Sequence, residues 1–159
     1  MAEKSMPELR IRRYQPGDWD QIWELHVTPL QQIGVYKGEG PWDDDLYHID
    51  EVYFQQRGDF LVGILDGRLV AMGAFRQTTP TSAEIKRMRT QPDMQGQGLG
   101  GIILQELEQR ASQLSYTHLH LETSTLQIGA HKFYRKYGFR EVGRTIIDGY
   151  DSILFEKEI

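Results

Sequence analysis

Apolar and polar positions change period several times along the chain, and each change marks an element. Leu9, Ile11 and Arg13 alternate against charged neighbours up to Tyr14, which predicts a first strand. Pro16-Gly17-Asp18 opens a helix with Asp18 as N-cap; Trp19, Ile22, Trp23 and His26 recur at helical spacing, and Pro29 ends it. A second helix is expected from Asp43, Asp44 and Asp45 onward, with Leu46, Ile49, Val52 and Tyr53 on one stripe and a stop before Gly58. Between the two, 31–42 reads as an irregular loop.

Strand character returns at Phe60 to Leu65 and Arg68 to Arg76, flanking Asp66-Gly67, a pair suited to a two-residue hairpin turn that needs positive φ at both centres. Ala83 to Thr90 predicts a further strand, and Pro92 keeps it from continuing into the glycine-rich stretch beyond. From Leu99 the period is helical, with Ile102, Ile103, Leu107 and Ala111 on the apolar side. Tyr116 to Thr123 is a strand whose Leu119, Leu121 and Thr123 share a face. Gln127 to Tyr137 forms a short helix closed by Gly138, and strands Phe139 to Ile146 and Tyr150 to Lys157 turn at Asp148-Gly149.

The order β-α-α-β-β-β-α-β-α-β-β is neither a βαβ repeat nor a bundle. It predicts an α/β (mixed α+β) fold: a mixed six- to seven-stranded sheet with helices on both faces. At 159 residues one domain is expected, spanning 8–159, with a polar, flexible segment 1–7 before it. No apolar run approaches the ~20 residues of a membrane span. The absence of cysteine and of an apolar leader fits a cytoplasmic protein. A net charge of −5 without clustered Lys and Arg argues against nucleic acid as partner, and suits small cationic substrates better.

Chemistry concentrates in Gln95-Gly96-Gln97-Gly98-Leu99-Gly100-Gly101, where four glycines precede a helix. Without Cβ atoms, Gly96, Gly98, Gly100 and Gly101 can take positive φ and bring backbone close to an anion at the helix's positive end. Two phosphate ligands compete. Gly96, Gly98 and Gly101 satisfy the dinucleotide fingerprint, with Glu122 about 20 residues on to hold a ribose. Yet the segment 91–95 separates strand from glycines, and most of the sheet precedes the turn as a meander. A Walker loop is excluded, since no lysine follows these glycines.

The same residues read Gln95-x-x-Gly98-x-Gly100, which resembles the pyrophosphate loop of the GNAT superfamily of acyl-coenzyme A-dependent N-acetyltransferases. Glu84-Ile85-Lys86-Arg87-Met88-Arg89-Thr90-Gln91-Pro92 resembles that family's fourth strand, Thr90 taking a valine's place. Ala130-His131-Lys132-Phe133-Tyr134-Arg135-Lys136-Tyr137-Gly138-Phe139 is similar to its Ala-x-x-Leu-Tyr-x-x-x-Gly-Phe signature. Gln95 stands where arginine is commoner, and Gln127 where many members carry an asparagine that touches the pantetheine arm; both keep hydrogen-bonding capacity.

The resemblance implies an acetyltransferase acting from acetyl-CoA on a primary amine, small molecule or peptide, with no metal and with room for a homodimer. It implies Tyr134 as the acid that meets the departing thiolate and Glu84 as general base. It implies coenzyme binding by the main chain of Met88, Arg89 and Thr90, by Gln95, Gly96, Gln97, Gly98, Leu99, Gly100 and Gly101, and by Gln127. A non-catalytic acyl-CoA sensor on the same fold and a dinucleotide oxidoreductase are the alternatives. The other reading of Tyr134 is a core aromatic beside Phe133 and Tyr137, and that of Glu84 a solvent-facing strand charge.

Three further groups carry two readings each. His118, His120 and Glu122 share one strand face, which suits a metal, but helices are expected to cover that face. Asp43, Asp44 and Asp45 are first explained by a helix start. The resemblance implies an acceptor pocket at Trp23, His26, Tyr36, Trp42 and Tyr47 with the turn before Tyr150, where aromatics clamp an amine or simply fill core.

Overall fold

The computed structural model describes residues 8–159; the predicted flexible segment lies outside the described residues. Its elements are β1 (Arg10–Arg13), α1 (Trp19–Gln32), α2 (Ile49–Val52), β2 (Asp59–Leu65), β3 (Arg68–Gln77), β4 (Ser82–Thr90), α3 (Leu99–Gln113), β5 (His118–Ser124), α4 (Ile128–Lys136), β6 (Arg140–Ile147) and β7 (Tyr150–Glu158). The seven strands form one sheet in the order β1-β2-β3-β4-β5-β7-β6. All neighbours are antiparallel except β4 and β5. Both predicted hairpins are present, with Asp66 and Gly67 at φ 50 and 76, and Asp148 and Gly149 at φ 50 and 81.

Helices cover both faces, and each face has its own core. On one, Ile103, Leu104, Leu107 and Ala111 of α3 pack on Leu61, Phe75, Leu119, Tyr134 and Phe155. On the other, Ile22 and Leu25 of α1 and Ile49 of α2 pack on Phe60, Val62, Leu69 and Met72. Each such side chain taken out of water contributes about 1.5–3 kcal/mol before entropy is counted. Alternation along β2 and β3 places successive residues in opposite cores, so these central strands are buried on both sides.

Four local expectations are corrected. Pro29 does not end α1, which runs on to Gln32. Ile22, Leu25, His26 and Pro29 form one buried stripe at i, i+3, i+4, i+7, and its burial outweighs the ~3 kcal/mol a helical proline costs. Asp18 does not cap α1 through its side chain; it accepts two hydrogen bonds from Arg12, at 2.7 and 2.8 Å, and one from the Gln15 amide. The second helix shrinks to the single turn of α2 between 3₁₀ turns at Pro41–Tyr47 and Phe54–Gln56. In α3 the apolar stripe includes Leu104, while Ile102 is 44% exposed.

Candidate active site in the wedge between β4 and β5

β4 and β5 pair only through Ser82 with His118, Ala83 with Leu119 and Glu84 with His120. Beyond Glu84 they diverge, leaving the β5-facing edge of β4 open from Ile85 to Thr90. The cause lies on the other side of β4. Lys86 and Arg89 oppose Ala74 and Met72 of β3, so three steps along β4 match two along β3. This bulge bends the strand away from β5, and Arg87 occupies it at φ 61.

A left-handed arginine costs roughly 1 kcal/mol or more in backbone strain, and its own side chain compensates. Arg87 Nε donates to Asp45 at 2.9 Å, a second nitrogen donates to the other Asp45 oxygen, and the Trp42 carbonyl accepts a third bond. Burial alone would raise Asp45, but hydrogen bonds from Arg87 and Tyr53 hold its carboxyl below the ordinary range. Asp43 is fully buried, 2.7 Å from His26 Nε2 and 3.9 Å from Arg87. Burial, reinforced by Arg89 and Arg87, drives the His26 imidazole down to about 3, so it is neutral at physiological pH. Burial pushes Asp43 the other way, upward, against Arg87. The acidic run is therefore chiefly an internal anchor for the β4 bulge, and only Asp44 of the three is exposed.

A cavity of about 890 Å³ fills the wedge, and it gathers nearly every residue the sequence singles out. Glu84 sits at its apex, 7% exposed, with Arg76 Nε 2.9 Å from its carboxylate. Met88, Arg89 and Thr90 line one wall, and Gln127 and Tyr134 line another. Tyr134 is 6% exposed and packs edge-on against Phe133 and Phe139 at 5.1 and 5.6 Å, so its core reading holds for the ring. Its hydroxyl takes no hydrogen bond within the described residues. Burial raises this phenol, with Arg89 opposing.

At the far end Gln95, Gly96, Gly98, Leu99, Gly100 and Gly101 form the entrance to α3. Only Gly96 and Gly98 adopt positive φ, 80 and 83. Gly100 and Gly101 are helical instead, and Gly101 serves packing: a Cβ there would collide with the Tyr137 hydroxyl. Gln97 is exposed and outside the cavity wall. The amides opening α3 have no acceptor within the helix, so they present donors and a positive dipole end to the cavity.

A smaller cavity of about 200 Å³ adjoins the first and shares Arg87, Arg89, Glu122 and Gln127 with it. His26, Tyr36, Trp42 and Tyr150 of the expected acceptor pocket line it. Trp23 and Tyr47 do not; Trp23 stacks on Trp19 at 5.6 Å and Tyr47 lies tilted against it at 5.4 Å, outside the cavity. The protein's own Lys37 Nζ lies 4.3 Å from the Tyr150 ring centre and donates to the Asp148 carbonyl, tying loop to hairpin. Helices do not cover His118, His120 and Glu122 as expected. Glu122 is exposed, His118 lies 3.4 Å from Glu156, and His120 2.7 Å from Thr78.

Sequence reasoning missed the bulge at Arg87 and the His26–Asp43 pair. Neither carries a local signal, since each depends on partners from distant parts of the chain.

The wedge, its glycine turn and Tyr134 can be set beside known proteins. A model described as the acetyltransferase (GNAT) family matches residues 19–139. The chain is 30% identical over 146 residues to an IAA acetyltransferase of Azospirillum brasilense, covering 87% of this chain and 88% of that one. It is 29% identical over 118 residues to the N-acetylaspartate synthetase of Xenopus tropicalis, spanning 71% of this chain but only 44% of that protein. Among solved structures, an acetyltransferase from Streptococcus agalactiae superposes with a TM-score of 0.87 at 21% identity, covering 95% of this chain and 98% of that one. The PaiA N-acetyltransferase of Thermoplasma acidophilum, solved in complex with coenzyme A, gives 0.77 at 19% identity over 96% of this chain and 99% of its own. The family model covers most of the chain, and the chain belongs to the acetyltransferase (GNAT) family.

Proposed function

We propose that this chain transfers the acetyl group of acetyl-CoA to a primary amine by direct attack of the amine on the thioester. The observation that carries the proposal is the shared wall of the 890 Å³ cavity, which joins the glycine turn, the open edge of β4, Glu84 and Tyr134. The residues present fit the coenzyme. Gly96 and Gly98, both at positive φ, and the free amides of α3 suit a pyrophosphate, while the unpaired edge of β4 suits an extended amide-bearing arm. Acetyl-CoA supplies an activated acyl group, and the protein supplies position, charge and proton traffic.

An amine with a pKa near 10.4 is neutral in only about one molecule in 2,500 at pH 7, equivalent to about 4.6 kcal/mol of barrier. Glu84, at the apex of the wedge, is the base for that proton, reached directly or through water. The main chain of Met88 and Arg89 polarises the acetyl carbonyl, and Gln127 steadies the arm. The Tyr134 hydroxyl, held by its packed ring and free of other partners, meets the departing sulfur. A non-catalytic acyl-CoA sensor would need neither Glu84 nor Tyr134 facing the cavity.

No helix of the described residues is long and apolar enough to cross a membrane; a cytoplasmic location and a homodimer belong to the proposal. The test is a panel of amines with acetyl-CoA, followed by thiol release and by mass shift of the amine. Acetylation of at least one amine class supports the reading. Tight coenzyme binding with no amine acetylated would leave the sensor.

A further inference from the structure

The neighbouring arginines of the bulged strand differ in one respect. Arg87 is saturated by Asp45, Asp43 and a carbonyl. Arg89 donates only to the Met88 carbonyl, at 2.8 Å, and no acidic side chain of the described residues pairs with it. Its Nε is buried without any partner. A guanidinium carries five donors, and burying one of them without a partner is costly, so a cation at a cavity wall with no carboxylate beside it is open to an arriving anion.

Its placement says which anion. The glycines at α3 line only the larger cavity, whereas Arg89 lines both, at their junction. Met88 turns to the α3 face of the sheet, where it packs with the core, so Arg89 turns to the α1 face beside the smaller cavity. Asp43 Oδ1 is engaged by His26 Nε2 at 2.7 Å, its Oδ2 has no hydrogen-bond partner, and no salt bridge joins Asp43 to Arg89 among the described residues. Glu122 stands in the same smaller cavity, an exposed carboxylate suited to a cation. At about 200 Å³, or about seven waters at ~30 Å³ each, that cavity suits a molecule of amino-acid size.

We propose that Arg89 receives a carboxylate of the acceptor, so that the amine acetylated here belongs to a small amino acid, its ammonium side facing Glu122. This rests on the acetyl-transfer reading above. Burial and the adjacent Arg87 push the Arg89 guanidinium down to about 10, which leaves it cationic at neutral pH. The guanidinium fork grips a carboxylate in two-point fashion, fixing the direction in which the amine is presented.

The experiment compares amino acids with their carboxamides as acceptors, in the wild type, in R89Q and in R89K, each first checked for fold and for acetyl-CoA affinity. The wild type is expected to favour the carboxylate by about 100-fold or more in kcat/KM. R89Q should collapse that preference by lowering kcat/KM for the carboxylate far more than for the carboxamide, and R89K should restore part of it. Equal loss on both acceptors, loss of coenzyme affinity, or no wild-type preference would overturn the proposal. Should no amine be acetylated at all, titration of small carboxylates into the coenzyme A-loaded protein still decides. Binding abolished by R89Q but kept in the distant surface variant R10Q supports the carboxylate site; no binding by wild type refutes it.

Discussion

Arg87 and Asp45 meet across the wedge's outer wall, with 9% and 10% of their side chains exposed, and this pair pins a left-handed residue in the middle of β4. Removing one member strands a buried charge. Asp45→Asn is therefore expected to cost about 3–5 kcal/mol at pH 7, a Tm loss of roughly 6–20 °C. Because Asp45 is held below its ordinary value when folded, its contribution is present above about pH 4 and lost as pH falls through the folded value. Urea denaturation at several pH values should show wild type and variant converging in acid. Parallel curves would show that the pair is not what stabilises the bulge.

Two glycines of one turn should fail in different ways. Gly98→Ala meets no protein atom within 4 Å, yet forces alanine to φ 83 at the turn that enters α3. Acetyl-CoA affinity should fall at least tenfold, about 1.4 kcal/mol, while the fold loses about 1 kcal/mol. Gly101→Ala should instead destabilise the fold by about 1–3 kcal/mol through its collision with Tyr137, seen as a lower Tm, and pairing it with Tyr137→Leu should relieve the loss. Calorimetric titration and melting of both variants separate ligand cradle from packing.

Tyr134→Phe preserves the ring contacts with Phe133 and Phe139 and removes only the hydroxyl. Turnover should fall by one to three orders of magnitude, roughly 1.4–4 kcal/mol, with the coenzyme Kd and Tm nearly unchanged. Unaltered turnover would reduce Tyr134 to a packing residue.

Glu84→Gln keeps the shape of the apex and discards the proton acceptor. The rate at neutral pH should fall about 100-fold or more, and the deficit should narrow as pH approaches the amine's own pKa, where no base is needed. A deficit constant across the pH profile would instead assign Glu84 to positioning, through its pair with Arg76.

His26 should stay neutral where an ordinary histidine is charged, because burial lowers it to about 3. The unfolded chain takes up a proton between about pH 6.5 and 3 that the folded protein refuses. His26 thus favours folding above about pH 6.5, and that contribution is lost as pH falls through this window. Its ring nitrogens, followed by NMR, should show a neutral tautomer from pH 8 to below 5; titration near 6.5 would mean that the ring is solvated.

What the sequence disclosed follows the range of the forces involved. Asp66-Gly67 and Asp148-Gly149 announce their hairpins because positive φ is a property of two adjacent residues. Gly96 and Gly98 could be placed for the same reason, and Tyr134 through its helical neighbours. Pro29 misled because local cost was overruled by a stripe packed against strands some 30 or more residues away. Asp43 and Asp45 misled because their partners, His26 and Arg87, come from opposite directions along the chain. The arginine at φ 61 had no signature at all, since nothing in the sequence says that a bulge will be secured by a distant carboxylate.

Three residue pairs between β4 and β5, with the adjoining bond from the Thr117 amide to the Thr81 carbonyl, stitch a four-strand leaf, β1 to β4, to a three-strand leaf of β5, β7 and β6. Mechanically this is a hinge with its axis near Glu84. An extended ligand bonded along β4 would act as an eighth strand lodged in the open mouth, bracing one leaf against the other. Stiffness of the whole sheet then becomes a property of the loaded molecule. Amides of β5 and the Asp148-Gly149 hairpin should exchange more slowly once the mouth is filled, while those of β2 and β3, already locked between two cores, should hardly change.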